Sequence, residues 1–464
     1  MRLRIAFAIV ALTWGGLAMC AQEMETQIEL PGDPAPIADF VGFGAQWNAG
    51  GYVAFDVTDD EFQVLADRVR WMRLPMARVM VLSRWCYFDD EGYNWDTPEM
   101  QALYRLLDVC EELGTTVLLT DWGGEKEWTT APGIEGVDDP LYAEVIGTYL
   151  DHLINEKGYS CIEYFIVTNE PNWEVGDFDR WKTGFLNVVN ELRQRGLDEQ
   201  VELVGSGTSQ QVRLTPAEDG TFDIEPWHVK AVEQLHEHIE MYSIHRYAER
   251  DRVREGSFED FWRAQWDYSR EHDPEGATKL HVVGEAGMND DAQHPYGSPY
   301  INDYGYGVFM AEYAVQAARA GSDGVSAWML DDNSHPGFFW GLWSNKEEGM
   351  ELRPWFYTWA LLSRYFPGGA TVYMPEQPQD IRLLAAETDD GWTICLINRR
   401  DAAATVTLQL PSEAAGTFRE YRYAEDQQAT DDQGFPVPVG EHDTEGALTV
   451  EIPSEAVVVL TSLM

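Results

Sequence analysis

The two side chains best suited to do chemistry together are Glu170 and Glu285, which stand 115 positions apart. Each follows a short apolar segment, and Pro171 after Glu170 biases that residue toward extended backbone at the end of a strand. Two facing carboxyl groups are what glycoside hydrolysis requires, one to protonate the leaving oxygen and one to attack the anomeric carbon. Identical side chains take different roles only where their surroundings push their pKa values apart.

The elements that must position this pair alternate between strand-like and helix-like patterns from about residue 40 to residue 366. We count eight strand-like segments, at 41–46, 71–80, 115–119, 162–167, 201–205, 241–245, 280–284 and 325–330. Eight parallel strands alternating with helices predict a closed (β/α)8 TIM barrel. Reactive groups in such a barrel lie at the carboxyl ends of the strands, where Glu170 ends strand four and Glu285 ends strand seven.

Local signals support the helices between these strands. Thr58 and Glu61 form a capping box before an apolar helical face. Thr97 and Pro98 are typical of a helix start, and Gly114 is typical of the corresponding helix end.

The pattern changes after residue 367, where apolar and polar residues alternate with period two. Such alternation at 406–410 and 448–452, without helical stretches between, predicts antiparallel strands in an all-β sandwich. We therefore divide the chain into a leader at 1–21, a strand or linker at 22–36, the catalytic barrel at 37–366 and the sandwich at 367–464. The strand within 22–36 is a candidate for joining the sandwich.

The leader has the features of a secretory signal peptide. Arg2 and Arg4 precede an apolar run, and small residues follow before position 21. We expect a secreted, periplasmic or cell-surface protein without membrane insertion. A lipoprotein anchored through Cys20 is the less favoured alternative, because Met19 occupies a position where a small residue is preferred.

Charge excludes several classes of partner. Asp and Glu total 80 against 32 Lys and Arg, a net charge of −48 that repels nucleic acids and anionic membranes. We expect a carbohydrate partner, and nothing in the sequence specifies an oligomeric state. Cys86 and Cys110 are either a disulfide pair or buried free thiols.

The motifs resemble those of retaining glycoside hydrolases of clan A, and most closely family 5, which includes many cellulases and mannanases. The resemblance spans roughly residues 41 to 355 and rests on motifs that occur in the family's order. These are Arg73-Leu74-Pro75 at strand two, Asn169-Glu170-Pro171 at strand four, His245-Arg246-Tyr247 after strand six, the Gly284-Glu285 pair at strand seven, and Trp328 at strand eight. The C-terminal sandwich is similar to that of families 30 and 39.

This resemblance implies a role for each matching residue. Glu170 is implied as the acid/base and Glu285 as the nucleophile, and Asn169 as a hydrogen-bond partner of the sugar 2-hydroxyl. Arg73 and Tyr247 are implied to keep the nucleophile ionised. His245 is implied to orient a catalytic carboxylate or the substrate, and Trp328 to stack beneath the sugar ring.

Several residues outside these motifs are candidates for a role because of their positions in the predicted elements. Arg78 lies an odd number of residues from Arg73, so we interpret it as a structural ion-pair residue on the opposite side of the strand. His236 and His238 lack a third ligand, so we predict no metal site and no cofactor. Residues at predicted strand ends and loops that could bind sugar are Trp47, Asp121, Trp122, Trp128 and Trp173.

We therefore expect a secreted enzyme that cleaves β-glycosidic bonds of a poly- or oligosaccharide by double displacement. Two alternatives stay open: a transglycosylase with the same site, and a catalytically silent carbohydrate-binding protein. Family 5 usually has a histidine at the end of strand three, where this chain has Thr120-Asp121-Trp122, and this departure favours the silent protein.

Overall fold

The computed structural model describes residues 26–30, 36–48, 57–122, 126, 129–290, 296–332 and 337–464. The leader at 1–21, Cys20 and Trp128 lie outside these residues. No helix in the described part of the chain is long and apolar enough to cross a membrane.

Eight parallel strands close into a barrel, as the alternation of patterns predicted. In chain order these barrel strands one to eight are Gly42–Gln46, Met76–Val81, Thr116–Asp121, Ile162–Ile166, Glu202–Thr208, Met241–Ala248, Leu280–Met288 and Gly324–Ala327. Strand eight pairs with strands one and seven, which closes the barrel.

Helices cover the outside of the barrel. The main ones are Asp59–Met72, Pro98–Leu113, Pro140–Asp151, Phe178–Arg195, Pro226–Leu235, Ser257–His272, Tyr304–Arg319 and Pro354–Tyr365. The predicted capping box is confirmed, since the Glu61 backbone N–H donates to Thr58 Oγ1 and the Thr58 N–H donates to the Glu61 carboxylate. Gly114 ends its helix in the left-handed conformation, with φ of 65°.

Along the regular parts of the strands, residues inside the barrel alternate with those that face the helices. A small apolar cluster fills the barrel centre and includes Met76, Leu118, Ile166 and Val282. Residues one position away along each strand, such as Ala77, belong to the larger cluster under the helices. This alternation decides which side chains at the strand ends reach the barrel mouth.

The C-terminal region forms two β-sheets, as predicted. One contains Thr26–Glu29, Ala404–Gln409 and Ala447–Ile452, so the strand after the leader pairs with the sandwich. The other contains Gly416–Ala424, Gln427–Gln428, Gly440–Thr444, Ala456–Thr461, Gly391–Asn398, Ile381–Thr388, Ala370–Tyr373 and Ile37–Phe40. The strand Ile37–Phe40 thus pairs with Ala370–Tyr373 rather than with the barrel, which begins at Gly42.

The four cysteines of the described chain are buried free thiols. Cys86 and Cys110 are not joined, which decides between the two alternatives that the sequence left open. Burial raises the pKa of the Cys86 thiol, which keeps it protonated at neutral pH.

Candidate active site

A β-bulge directs Glu285 into the barrel mouth. Ile244 on strand six lies opposite Val283, but the next residue, His245, lies opposite Glu285. Gly284 is therefore the extra residue of the bulge. In a regular strand without this bulge, Glu285 would lie on the same side as Val283 and face the helices, because side chains alternate along a strand.

Glu170 reaches the mouth through a left-handed backbone. Its φ and ψ are 42° and 57°, so the expectation of an extended Glu170 is wrong. Thr168 also has positive φ, at 69°, so Asn169 lies between two strained residues. Glu170 precedes the one-turn helix Pro171–Glu174, where the Trp173 backbone N–H donates to the Glu170 carbonyl at 2.8 Å.

The two carboxyl groups converge on His245. One oxygen of Glu170, one oxygen of Glu285 and a ring nitrogen of His245 lie within 4.8 Å of one another. His245 Nδ1 lies 3.0 Å from Glu170 Oε1 and 3.4 Å from Glu285 Oε1. The imidazole thus lies between the two carboxyl groups and is hydrogen-bonded to Glu170.

Glu285 is surrounded by hydrogen-bond donors. Arg78 Nη1 donates to Oε1 at 2.7 Å and the Tyr247 hydroxyl donates to Oε2 at 2.8 Å. Arg78 and Glu285 are both buried. A guanidinium and a phenol donating to one carboxylate stabilise its negative charge, which a nucleophile needs.

The arginine of this site is Arg78, so the assignment of Arg73 from the resemblance is wrong. Arg73 ends the helix Asp59–Met72 with φ of 47° and is exposed at the opposite end of the barrel. Strand two begins only at Met76, and Arg78 shares the interior side of that residue. Arg78 also donates to Gln46 Oε1 at 2.7 Å and to Asn169 Oδ1 at 2.6 Å.

The surroundings of Glu170 favour its protonated form. Burial raises the pKa of Glu170, while the Ser209 hydroxyl and the charges of Arg78 and Lys126 lower that pKa to a lesser extent. Burial also lowers the pKa of His245 to about 3, so the imidazole is uncharged at neutral pH. Burial raises the pKa of Tyr247 well above its usual value, so this phenol stays protonated as a donor.

Two of the proposed sugar-binding residues face the wrong way. Trp47 is fully buried on the helix side of strand one and stacks on Phe62 with ring centroids 6.2 Å apart. Asp121 shares the helix side of Val117 and Leu119, and it accepts from the Tyr142 hydroxyl at 2.9 Å. Both predictions are wrong, because the side of the strand, rather than position at its end, determines access to the mouth.

Three other predicted tryptophans lie at accessible positions on the mouth. Trp122 follows strand three on its interior side. Trp328 follows strand eight, where its backbone N–H donates to the Ala286 carbonyl at 2.9 Å. Both side chains are half-buried. Trp173, on the one-turn helix after Glu170, is 67% exposed.

The sequence predicted only a structural ion pair for Arg78, and it gave no role to three further residues around the pair: Gln46, Ser209 and Trp340. Ser209 contributes its hydroxyl to Glu170 from the loop after strand five. Trp340 packs edge-on against Tyr247 with ring centroids 5.4 Å apart. The start of strand two directly after Pro75 was a signal for Arg78, whereas Trp340 lies in a loop whose path the sequence does not specify.

Glu170, His245 and Glu285 are also the types of side chain that ligate metals. However, the Arg78 guanidinium places a positive charge 2.7 Å from the Glu285 oxygen that faces His245. A cation at that oxygen would be repelled. The arrangement is better suited to proton transfer and nucleophilic attack by the carboxyl groups.

Known proteins resemble this chain in three-dimensional structure, whereas comparison of sequences finds no match. No protein family matches the chain by sequence, and no curated protein matches it. A GH30 endoxylanase from Clostridium papyrosolvens C71 is similar in structure, with a TM-score of 0.62 at 11% identity over 95% of this chain and 100% of the other. A GH39 enzyme from Xanthomonas axonopodis pv. citri gives a TM-score of 0.63 at 14% identity over 96% and 99% of the two chains.

A glucosidase from Croceicoccus marinus is also similar, with a TM-score of 0.65 at 12% identity over 94% of this chain and 99% of that chain. The structural neighbours thus include families 30 and 39, the families whose sandwich the sequence suggested. They do not confirm family 5 as the closest family.

Proposed function

We propose that this chain is a secreted, retaining glycoside hydrolase that cleaves β-glycosidic bonds in a poly- or oligosaccharide. The observation that carries the proposal is the convergence of Glu170 and Glu285, which have oxygens within 4.8 Å of each other. Glu170 lies just beyond strand four, and Glu285 lies in the last half of strand seven. Retaining glycosidases have carboxyl groups about 5–5.5 Å apart, whereas inverting enzymes leave room for a water between them.

In the first step, the ionised Glu285 attacks the anomeric carbon of the sugar. The bond from that carbon to the glycosidic oxygen breaks, and Glu170 transfers its proton to the departing oxygen. The raised pKa of Glu170 suits this role, because the carboxyl group must hold its proton until the bond breaks. A covalent glycosyl ester on Glu285 results.

In the second step, Glu170 acts as a base. Its carboxylate takes a proton from a water molecule, and the water oxygen attacks the anomeric carbon. The ester bond to Glu285 breaks, which frees the sugar with the original configuration and returns both carboxyl groups to their starting states. His245, uncharged and 3.0 Å from Glu170, donates to the carboxylate formed after the first proton transfer.

Asn169 and Trp328 complete the proposed sugar site. Arg78 orients the Asn169 amide by donating to its oxygen, and we assign this amide to the sugar 2-hydroxyl. The half-buried Trp328 is assigned to stack beneath the ring. Within clan A we propose that the catalytic groups follow the family 5 arrangement, with Arg78 as the strand-two arginine.

The first experiment measures reducing-sugar release from β-glucans, mannans, xylans and galactans, in low and high salt. We expect the wild type to act on at least one polymer and Glu285→Ala to be inactive on all of them. Equal release by Glu285→Ala would contradict the nucleophile assignment. Silence of the wild type across these polymers, together with binding to one of them, would instead support the carbohydrate-binding protein.

Azide distinguishes the roles of the two glutamates on an activated aryl glycoside. For Glu170→Ala, azide replaces water on the glycosyl enzyme, so we expect a β-glycosyl azide with retained configuration. For Glu285→Ala, azide attacks the substrate directly, so we expect the α-azide. The reverse pattern would exchange the two assignments, and the same anomer from both variants would contradict double displacement.

A further inference from the structure

A buried carboxyl group closes the loop after strand five, which carries a residue of the catalytic site. Ser209 begins this loop, and its hydroxyl forms a hydrogen bond with Glu170. Glu225 ends the loop directly before a helix and is fully buried. The Glu225 side chain turns back to the start of the loop, where Oε2 accepts from the Gln211 N–H at 2.8 Å. Glu225 therefore links the two ends of the loop.

Three donors face the two oxygens of Glu225. Besides the Gln211 N–H, the Val212 N–H donates to Oε1 at 3.4 Å, and Arg246 Nη1 lies 3.5 Å from the same oxygen. Arg246 Nη1 also donates to the Val212 carbonyl at 2.8 Å. Burial raises the pKa of Glu225 to about 7, although the backbone hydrogen bonds and the charge of Arg246 act in the opposite direction. Above neutral pH the group is therefore a carboxylate that accepts at both oxygens.

Arg246 places this pair directly behind the catalytic residues. It is the middle residue of His245-Arg246-Tyr247 on strand six, and the outer two residues contact the catalytic carboxyl groups. Because side chains alternate along a strand, the Arg246 side chain lies on the helix side, where its guanidinium is 5.1 Å from the centre of the Phe261 ring. The Tyr247 N–H donates to the side-chain oxygen of Gln210 at 3.1 Å. Strand six and the start of the loop are thus joined at adjacent residues.

We infer that Glu225 and Arg246 are positioning residues of the acid/base site. Their pair holds the loop after strand five so that the Ser209 hydroxyl reaches Glu170. The inference rests on the proposed function. Asn172 accepts from the Ser209 N–H at 2.9 Å, so Ser209 is held on one side by the loop after strand four. Glu225 holds the residues that follow, and breaking a buried pair leaves the partner charge uncompensated, which displaces this part of the loop.

Glu225→Gln tests the pair with little change of shape. The amide keeps one acceptor but replaces the other oxygen with a donor, which then faces a backbone N–H or the guanidinium. The measurement is the pH dependence of kcat/KM on the polymer that the wild type cleaves. We expect the alkaline limb to move to higher pH by about half a unit to one unit, because Glu170 loses the hydrogen bond of Ser209.

A double variant shows whether Glu225 acts through Ser209. Glu225→Gln combined with Ser209→Ala should give the same alkaline limb as Ser209→Ala alone, because the hydroxyl that the loop positions is then absent. Other titratable or charged groups face Glu170 from strands two, six and seven and from the loop after strand three: Arg78, His245, Tyr247, Glu285 and Lys126. All of them are present in each of these variants, so a difference in the limb reports the Ser209 contact.

Arg246→Lys tests the pair from its other member. Lysine keeps the charge but lacks the planar fork of donors, so the alkaline limb should move in the same direction by a smaller amount. This variant also decides the question if Glu225→Gln does not fold.

Tyr242→Phe is the matched control. Tyr242 lies near the start of the same strand, is buried, and donates to Asp273 Oδ2 at 2.7 Å. The variant removes a buried hydrogen bond at the other end of the barrel. It should therefore lower the melting temperature and leave the alkaline limb in place.

Failure of the inference and failure of the proposed function give different results. An unmoved alkaline limb in Glu225→Gln or Arg246→Lys, with a lowered melting temperature as in Tyr242→Phe, would overturn the inference alone, because the pair would then only stabilise the fold. Additive shifts in the double variant would also overturn it, since Glu225 would then act on the site without Ser209. A wild type that cleaves none of the polymers would reject the proposed function, and the inference with it.

Discussion

Glu170 and Glu285 are identical side chains, and the groups around them create the difference that the reaction needs. Glu285 accepts from a guanidinium and a phenol. Glu170 has an uncharged imidazole as its neighbour, and burial raises its pKa. Hydrogen-bond donors thus face one carboxyl group, and burial makes the other, Glu170, keep its proton to a higher pH.

Arg78 and Arg73 should respond differently to replacement by alanine. Arg78→Ala should lower kcat/KM by about a hundredfold or more, because it removes a preorganised charge and hydrogen bond at Glu285. Arg73→Ala is the matched control, and we expect a change of about twofold or less for this exposed residue. Circular dichroism of both variants would check folding, and a larger loss for Arg73→Ala would contradict the assignment.

The pH dependence of kcat/KM should change when the Ser209 hydroxyl is removed. The Ser209 hydroxyl lowers the pKa of Glu170, so Ser209→Ala should raise that pKa further. Activity requires protonated Glu170 and is lost as the pH rises through its pKa, so the alkaline limb of kcat/KM should move to higher pH. The exposed Ser412 in the sandwich provides a control through Ser412→Ala. An alkaline limb that moves to lower pH would refute the contribution of Ser209.

Among the structural elements, the bulge in strand seven shifts the alternation of side chains by one residue. Glu285 therefore faces the barrel mouth, where it meets Glu170. Gly284 is the extra residue, and it lies against Ser243 and His245 of strand six. A Cβ at this position would lie 2.4 Å from Ser243 Oγ and 2.9 Å from the His245 ring. The bulge therefore depends on glycine for close approach of the two strands.

We predict that Gly284→Ala lowers the free energy of unfolding by about 1–3 kcal/mol, as overpacking does, and that it lowers activity by displacing His245. Gly305→Ala is the contrasting control. Gly305 lies in the helix Tyr304–Arg319, and a Cβ there meets nothing within 4 Å. Helix propensity predicts a gain of about 0.5–1 kcal/mol for Gly305→Ala. Denaturant unfolding would measure both, and an unaffected Gly284→Ala would mean that the strands can separate without cost.

Across the whole molecule, an ion network that is buried at Glu312, Arg382 and Arg399 joins the barrel to the sandwich. Glu312, on the helix Tyr304–Arg319, binds Arg382 at 3.0 Å and Arg399 at 2.8 Å. Arg399 also binds Glu455 at 2.7 Å, and Glu455 binds Arg254 at 2.6 Å. These contacts attach the sandwich to the helices outside the barrel strands.

We predict that Glu312→Gln lowers the free energy of unfolding by about 3–5 kcal/mol, because two buried guanidinium groups each lose a carboxylate partner, although Arg399 keeps Glu455. Glu112→Gln is the matched control, since Glu112 forms an exposed pair with Arg70 and such pairs contribute about 0–1 kcal/mol. Below the unfolding temperature kcat should be unchanged in both. A loss of kcat in folded Glu312→Gln would show instead that the sandwich influences the site.

The sequence by itself predicted the barrel and the sandwich. It also singled out the two glutamates whose carboxyl groups the structure brings together. Helix caps, strand periodicity and breaks in the pattern are local properties, so neighbouring residues suffice to predict them. Thr58, Thr97 and Gly114 accordingly take the predicted positions at the helix ends.

Only the tertiary structure decided which side chains meet at the site. Arg78 rather than Arg73 reaches Glu285, and Trp47 faces a helix rather than the mouth. Each of these outcomes depends on where a strand begins or on whether it contains a bulge. Because side chains alternate with a period of two, a displacement of one residue transfers a side chain from the barrel interior to the helix layer. The spacing of residues along the chain does not contain that information.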